Sequence, residues 1–230
     1  MEDKIYDWKT LNLQSLDILL CSGNGKMSQQ IMWLQRLRGL VAPSADISHV
    51  AFVLSMPMAV AEVLDTSLSP TGLYACETTT LNSWPKPPKK GLQVNDFEGW
   101  LENYNGKVWV RQISNQAIGR LYQKEIMRFV VDHLRDPYAQ RYENGIPGLW
   151  DLFWCEFGFK KALLQSATLH CSEWDAEVLR EFKVLGGTVS GSRLPPNEWW
   201  NLVYKKNGTC RPSLVDQQLI EKLNEPIRIK

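Results

Sequence analysis

Along the first half of the chain apolar and polar positions are arranged as short strands, and along the second half they repeat at helical spacing. The run LDILLC (16–21) is apolar except for Asp17. A Gly-rich turn, SGNGK, follows it, and then MSQQIMWLQRLRGL, where Met27, Ile31, Leu34 and Leu37 share one helical face. This predicts strand, turn and helix, with Ser28 near the start and Gly39 as the stop signal. SHVAFVLS (48–55) is rich in Val and Phe and predicts a second strand. VAEVLD (60–65), after the Pro-containing MPMA, predicts its hairpin partner. LYACETTT (73–80) and KVWVRQI (107–113) predict two more strands, and the prolines of NSWPKPPKKG make the segment between them a surface loop.

The period then changes. Ile118, Leu121, Tyr122, Ile126, Phe129 and Val130 predict one long amphipathic helix over 117–134. DPYAQRYENGIPG breaks it, and LWDLFWCEFGFKKALL is a second, aromatic-rich helical or irregular stretch. A third helix is predicted from His170 to about Lys183, and RLPPNEWWNL reads as loop and then a helix start with proline in its first turn. Strands first and helices second predict an α+β domain with an antiparallel sheet.

Composition narrows the function. A hydrophobic fraction of 44% with 22% charged residues is that of a packed globular protein. The 26 Lys and Arg against 25 Asp and Glu provide no field to gather nucleic acid or an anionic membrane. The charged start, MEDKIYDWKT, has no signal-peptide core, and no stretch is long and apolar enough to span a bilayer. The expected location is the cytoplasm, with delivery by a virus or phage as the other route. Five cysteines, odd in number and without a C-x-x-C pair, suit a reducing compartment better than a disulfide framework or a zinc knuckle.

One cysteine stands apart. In TLHCSEWD (168–175), Cys171 opens the third helix, where unpaired backbone N–H groups and the helix dipole favour a thiolate and can also serve a substrate oxyanion. Cys171, Trp174, Val178 and Phe182 lie on one stripe, so the thiol turns toward the protein body. The chain has three histidines. His133 reads as a core-edge or surface residue late in the long helix, and His170, adjacent to Cys171, points elsewhere on the helix. His49, on a strand face shared with Ala51 and Val53, needs a polar partner there and is the candidate base. Glu77, a carboxylate inside the apolar strand YACET, is the candidate to hold its second nitrogen, and Asp17 is a second buried-looking acid.

Together these segments resemble the permuted papain-like cysteine hydrolases of the NlpC superfamily, the bacterial YiiX/YaeF-like group with its poxvirus relatives. The likeness lies in LDILLCSGNG before a helix, SHVAFVL, the acid of YACET and, much later, HCSEWDAEVL. It implies a permuted papain-like (NlpC-type) fold in which the histidine strand precedes the nucleophile helix. An antiparallel sheet or small barrel would pack against helices, within one domain of 230 residues: a core over about 15–202 and a C-terminal extension over 203–230. It implies Cys171 as nucleophile, in the aromatic-Cys-Ser pattern with Ser172 beside it and His170 where a tyrosine is common. It also implies His49 as base and Glu77 as third residue. Asp17 matches the acid of the family's Gly-Asp-Ile opening, with Leu16 in place of the glycine. The implied activity is hydrolysis of an amide, or of an ester, through an acyl-enzyme, with no metal or organic cofactor. The substrate would be a small molecule, peptide or lipid. The other readings are a lipid acyl hydrolase or acyltransferase of the same fold, and a non-catalytic descendant that binds a ligand or a protein in the same cleft.

Overall fold

A computed structural model describes residues 4–37, 46–57, 69–79, 91–134, 171–186, 196–200, 204–206, 209–211 and 223–230. The main sheet has six strands: β1 (Ile18–Gly23), β2 (His49–Ser55), β3 (Leu73–Thr79), β4 (Gly91–Asp96), β5 (Gly106–Arg111) and β8 (Ile227–Arg228). Their order is β4-β3-β2-β1-β5-β8, and each neighbouring pair is antiparallel. A separate hairpin pairs β6 (Tyr204–Lys206) with β7 (Thr209–Arg211). Strands grouped in the first half therefore do form an antiparallel sheet, in a mixed α+β fold.

Alternation along the strands divides the core between two faces. Val50, Phe52, Leu54, Tyr74, Cys76 and Trp109 lie on one face, beneath helices α4 (Gln123–His133) and α5 (Cys171–Glu181), which contribute Ile126, Val130, Trp174, Val178 and Leu179. Leu19, Cys21, Ala51, Val53, Ala75 and Val108 lie on the other, beneath Phe97, Trp100 and Leu101 of α2 (Phe97–Asn103). Each such large side chain contributes about 1.5–3 kcal/mol when removed from water. At the start of β5 the backbones come so close that a Cβ on Gly106 would lie 1.9 Å from the Ser22 carbonyl oxygen, so only glycine fits.

Several elements differ from those the sequence predicts. The single helix over 117–134 is broken at Tyr122 into α3 (Ala117–Leu121) and α4. The two halves answer to different neighbours. Gly119 presses α3 onto the Ser15 backbone, where a Cβ would meet the carbonyl oxygen at 2.5 Å, whereas α4 follows α5, with the Phe129 and Trp174 rings stacked at 5.5 Å. β4 and α2 were not expected after the proline-rich stretch. Over its described residues the Pro-led segment forms a 3-10 turn, Pro196–Trp200. At the C-terminus β8 extends the main sheet, and Leu223 and Ile229 are buried. The strand expected at 60–65, the loop at 82–90 and the aromatic stretch at 149–164 fall outside the described residues; the observed neighbour of β2 on that side is β3.

Candidate active site

β2 and β3 pair with Phe52 opposite Cys76, so the next residue of β3, Glu77, comes alongside Ala51 and on the same face as His49. His49 Nε2 lies 2.7 Å from Glu77 Oε2, with the imidazole largely buried and the carboxylate more so. The other oxygen, Oε1, accepts a 3.0 Å hydrogen bond from the Trp100 indole N–H. A carboxylate in its ionised form only accepts, so a neutral imidazole bonded to it through Nε2 has its proton there and leaves Nδ1 as the basic nitrogen. Two residues that looked anomalous in apolar strands thus satisfy each other.

Cys171 is the first residue of α5. The helix packs against β2 and β3. Trp174 and Asp175 lie near Cys76, opposite the middle of β2, while the Phe182 ring sits 6.0 Å from Tyr122, next to Gln123, whose amide donates to Ser55 O at the far end of that strand. The start of α5 is therefore at the His49 end of β2. Trp174, Val178 and Phe182 are buried as their stripe predicts. The side chains of Cys171 and Ser172, and all of His170, lie outside the described residues. Helix α5 covers the Phe52 and Cys76 face, whereas His49 and Glu77 point to the Ala51 face beneath α2. A Cys171–His49 pair has to form around the end of β2, and His49 is the first residue of that strand.

Asp17 is placed elsewhere. It precedes β1 at the end far from Cys21, the residue opposite His49. Its carboxylate accepts from the backbone N–H groups of Gln14 (2.9 Å) and Ile113 (3.0 Å), tying the turn before β1 to the end of β5. Leu16, the residue before Asp17, takes the left-handed conformation at φ 76° and is fully buried, a backbone cost of about 1–2 kcal/mol for a residue with a Cβ. Burial pushes the Asp17 carboxyl up to about 6 from 3.8, partly offset by those N–H donors and by Gln116. A raised folded-state value means the native protein holds this proton more tightly than the unfolded chain. Its contribution is full below about pH 4 and is lost as pH rises through about 6. The stability of the wild type relative to Asp17→Asn is expected to fall by up to about 3 kcal/mol between pH 4 and 7. Urea unfolding of both proteins at several pH values checks this; a constant difference would refute the raised value.

No family profile matches the sequence, and no curated protein does. Among solved structures the chain is similar to the metalloprotein yiiX (DUF1105) from Escherichia coli O157:H7, at 15% identity and a TM-score of 0.44, over 76% of this chain and 70% of that one.

The remaining chemistry is sparse. Among the described residues no three His, Cys, Asp or Glu side chains converge as metal ligands, and no helix is long and apolar enough to cross a membrane. Cys21 and Cys76 are buried and in no disulfide; burial, reinforced by the charge of Asp175, holds Cys76 well above the ordinary thiol range. Cys155 lies outside the described residues. His133 is half-buried against Phe129 and Trp174, a core-edge residue as predicted. Sequence reasoning missed the buried amides beside Glu77. Gln93 lies opposite it across β3 and β4, and Asn95 donates to Gln93 Oε1 at 3.4 Å. Their only trace in the sequence is alternation with Leu92 and Val94 in GLQVND.

Proposed function

We propose that the chain is a permuted papain-like cysteine hydrolase of the YiiX/YaeF-like kind, cleaving an amide or ester through an acyl-enzyme. The observation that carries this reading is the His49–Glu77 pair at 2.7 Å, an imidazole held by a buried carboxylate on a sheet face shared with Ala51, Val53 and Ala75. Cys171, at the N-terminus of α5, is the nucleophile. His49 takes the thiol proton through Nδ1, the nitrogen opposite the one bonded to Glu77. The thiolate attacks the carbonyl carbon, and the backbone N–H of Cys171 holds the oxyanion. The imidazolium then protonates the leaving amine or alcohol, and water activated by His49 releases the acid and restores the thiol. Glu77 keeps the ring in the productive tautomer throughout. In a reducing compartment the thiol persists for each cycle.

One observation favours a second reading, a binding module without catalysis: α5 packs on the sheet face opposite the His49 side chain. Iodoacetamide labelling across pH, read by mass spectrometry in the native protein and in His49→Ala, separates the two. The hydrolase reading expects Cys171 to be labelled selectively, with a midpoint well below the ordinary 8.5, and expects His49→Ala to abolish that advantage. Cys76, buried and held protonated, stays unlabelled in both. If Cys171 reacts as an ordinary thiol in both proteins, the module reading stands.

A further inference from the structure

We infer that Trp100 is a positioning residue for the candidate base: its indole N–H, bonded to Glu77 Oε1, fixes which carboxylate oxygen faces His49. The inference deepens the reading of His49 and Glu77 as base and orienter, and rests on it. Trp100 Nε1 is 3.0 Å from Oε1 while Oε2 is 2.7 Å from His49 Nε2, so the carboxylate is bonded at both ends. The terminal torsion of a glutamate is broad and two-fold. A donor on one oxygen removes that freedom and leaves the second oxygen aimed at the ring.

Trp100 is itself held rigidly. Asp96 ends β4 and caps α2 by accepting from the Gly99 N–H at 2.7 Å, so the helix turns back over β3 with no intervening loop. Phe97 and Tyr104 pack on either side of the indole, with centroids 6.2 and 5.3 Å away. Any large apolar side chain would fill this cluster. A buried indole N–H, however, requires an acceptor, and here the acceptor is the residue that holds the imidazole.

The test compares Trp100→Phe, which keeps a ring and removes the donor, with Phe97→Leu, which disturbs the same apolar cluster and removes no hydrogen bond to Glu77 or His49. Two readouts are taken: the ¹⁵N signals of the His49 ring, which report its tautomer without any need for Cys171, and the pH profile of Cys171 labelling. Trp100→Phe is expected to shift His49 from the Nε2–H tautomer toward a mixture and to slow labelling at neutral pH by about 10- to 100-fold, the range for a hydrogen bond to a charged group. Both effects are expected to vanish in a Glu77→Gln background. Phe97→Leu is expected to lower Tm and leave both readouts alone. Where Phe at position 100 disturbs folding, β-(3-benzothienyl)alanine, which replaces only the N–H, makes the same comparison. Unchanged His49 signals in a folded Trp100 variant, or an effect that persists with Gln at position 77, overturns the inference. Shifted His49 signals alongside ordinary-thiol behaviour of Cys171 uphold the positioning role and overturn the hydrolase reading.

Discussion

Under the proposed hydrolase mechanism Glu77→Gln is expected to slow turnover by about 10²- to 10⁴-fold, the range spanned by general acid–base groups and triad carboxylates. The reason lies in the two bonds that Glu77 accepts, from His49 Nε2 and from the Trp100 indole. A glutamine has one acceptor oxygen and one donor amide. If the oxygen stays on Trp100, the amide faces His49 and stabilises the tautomer with its proton on Nδ1, the nitrogen that takes the thiol proton in the proposed mechanism. If the oxygen stays on His49, two N–H groups confront each other at Trp100 in a buried site. Neither arrangement preserves both the tautomer and the packing. Release of acyl product from a panel of esters and amides, alongside Cys171 labelling at neutral pH, measures the effect. A Glu77→Gln protein that reacts at the wild-type rate would remove Glu77 from the site.

Glu77 and His49 were legible because each breaks a local pattern: a charged or titratable side chain on an apolar strand face must find a partner. Their pairing follows from strand alternation once β2 and β3 are adjacent. Trp100 was illegible for the converse reason. A tryptophan in FEGWLEN satisfies the helical pattern as a core residue, and its acceptor lies across a strand pair that the sequence does not announce. β4 was hidden by composition, since the prolines ahead of it dominate the reading and Gln93 and Asn95, although buried, look like loop residues. The break at Tyr122 depends on the contact between Gly119 and the Ser15 backbone, which periodicity cannot report. The turn before Asp17 was illegible because its backbone geometry is unusual for the residue that holds it. Leu16 adopts the left-handed geometry that glycine would take freely, and its side chain fills the core in return.

The C-terminal residues supply the second large effect. Arg111→Met is expected to destabilise the fold by about 3–5 kcal/mol, because it leaves three backbone carbonyls without their donor at about 1–3 kcal/mol each, out of a total of about 5–15 kcal/mol for a typical domain. Arg111 ends β5 and is fully buried. Its guanidinium donates to three backbone carbonyls: Asn224 through Nε at 3.0 Å, Trp199 through Nη1 at 2.9 Å and Leu223 through Nη2 at 3.4 Å. A single planar fork thereby joins the sheet to the Pro196–Trp200 turn and to the segment that leads into β8. Methionine fills similar volume but leaves those carbonyls without that donor, and backbone acceptors cannot be replaced by apolar groups in compensation. Lysine, a point donor, recovers part of the loss. Urea unfolding gives the magnitude, and hydrogen exchange gives the location. The Asn224 and Ile229 amides, bonded to Gln112 O at 2.7 Å and Val108 O at 2.9 Å, are expected to lose protection first. Equal loss of protection throughout β1 and β2 would instead mean that Arg111 supports the sheet as a whole, not the closure of its C-terminal edge.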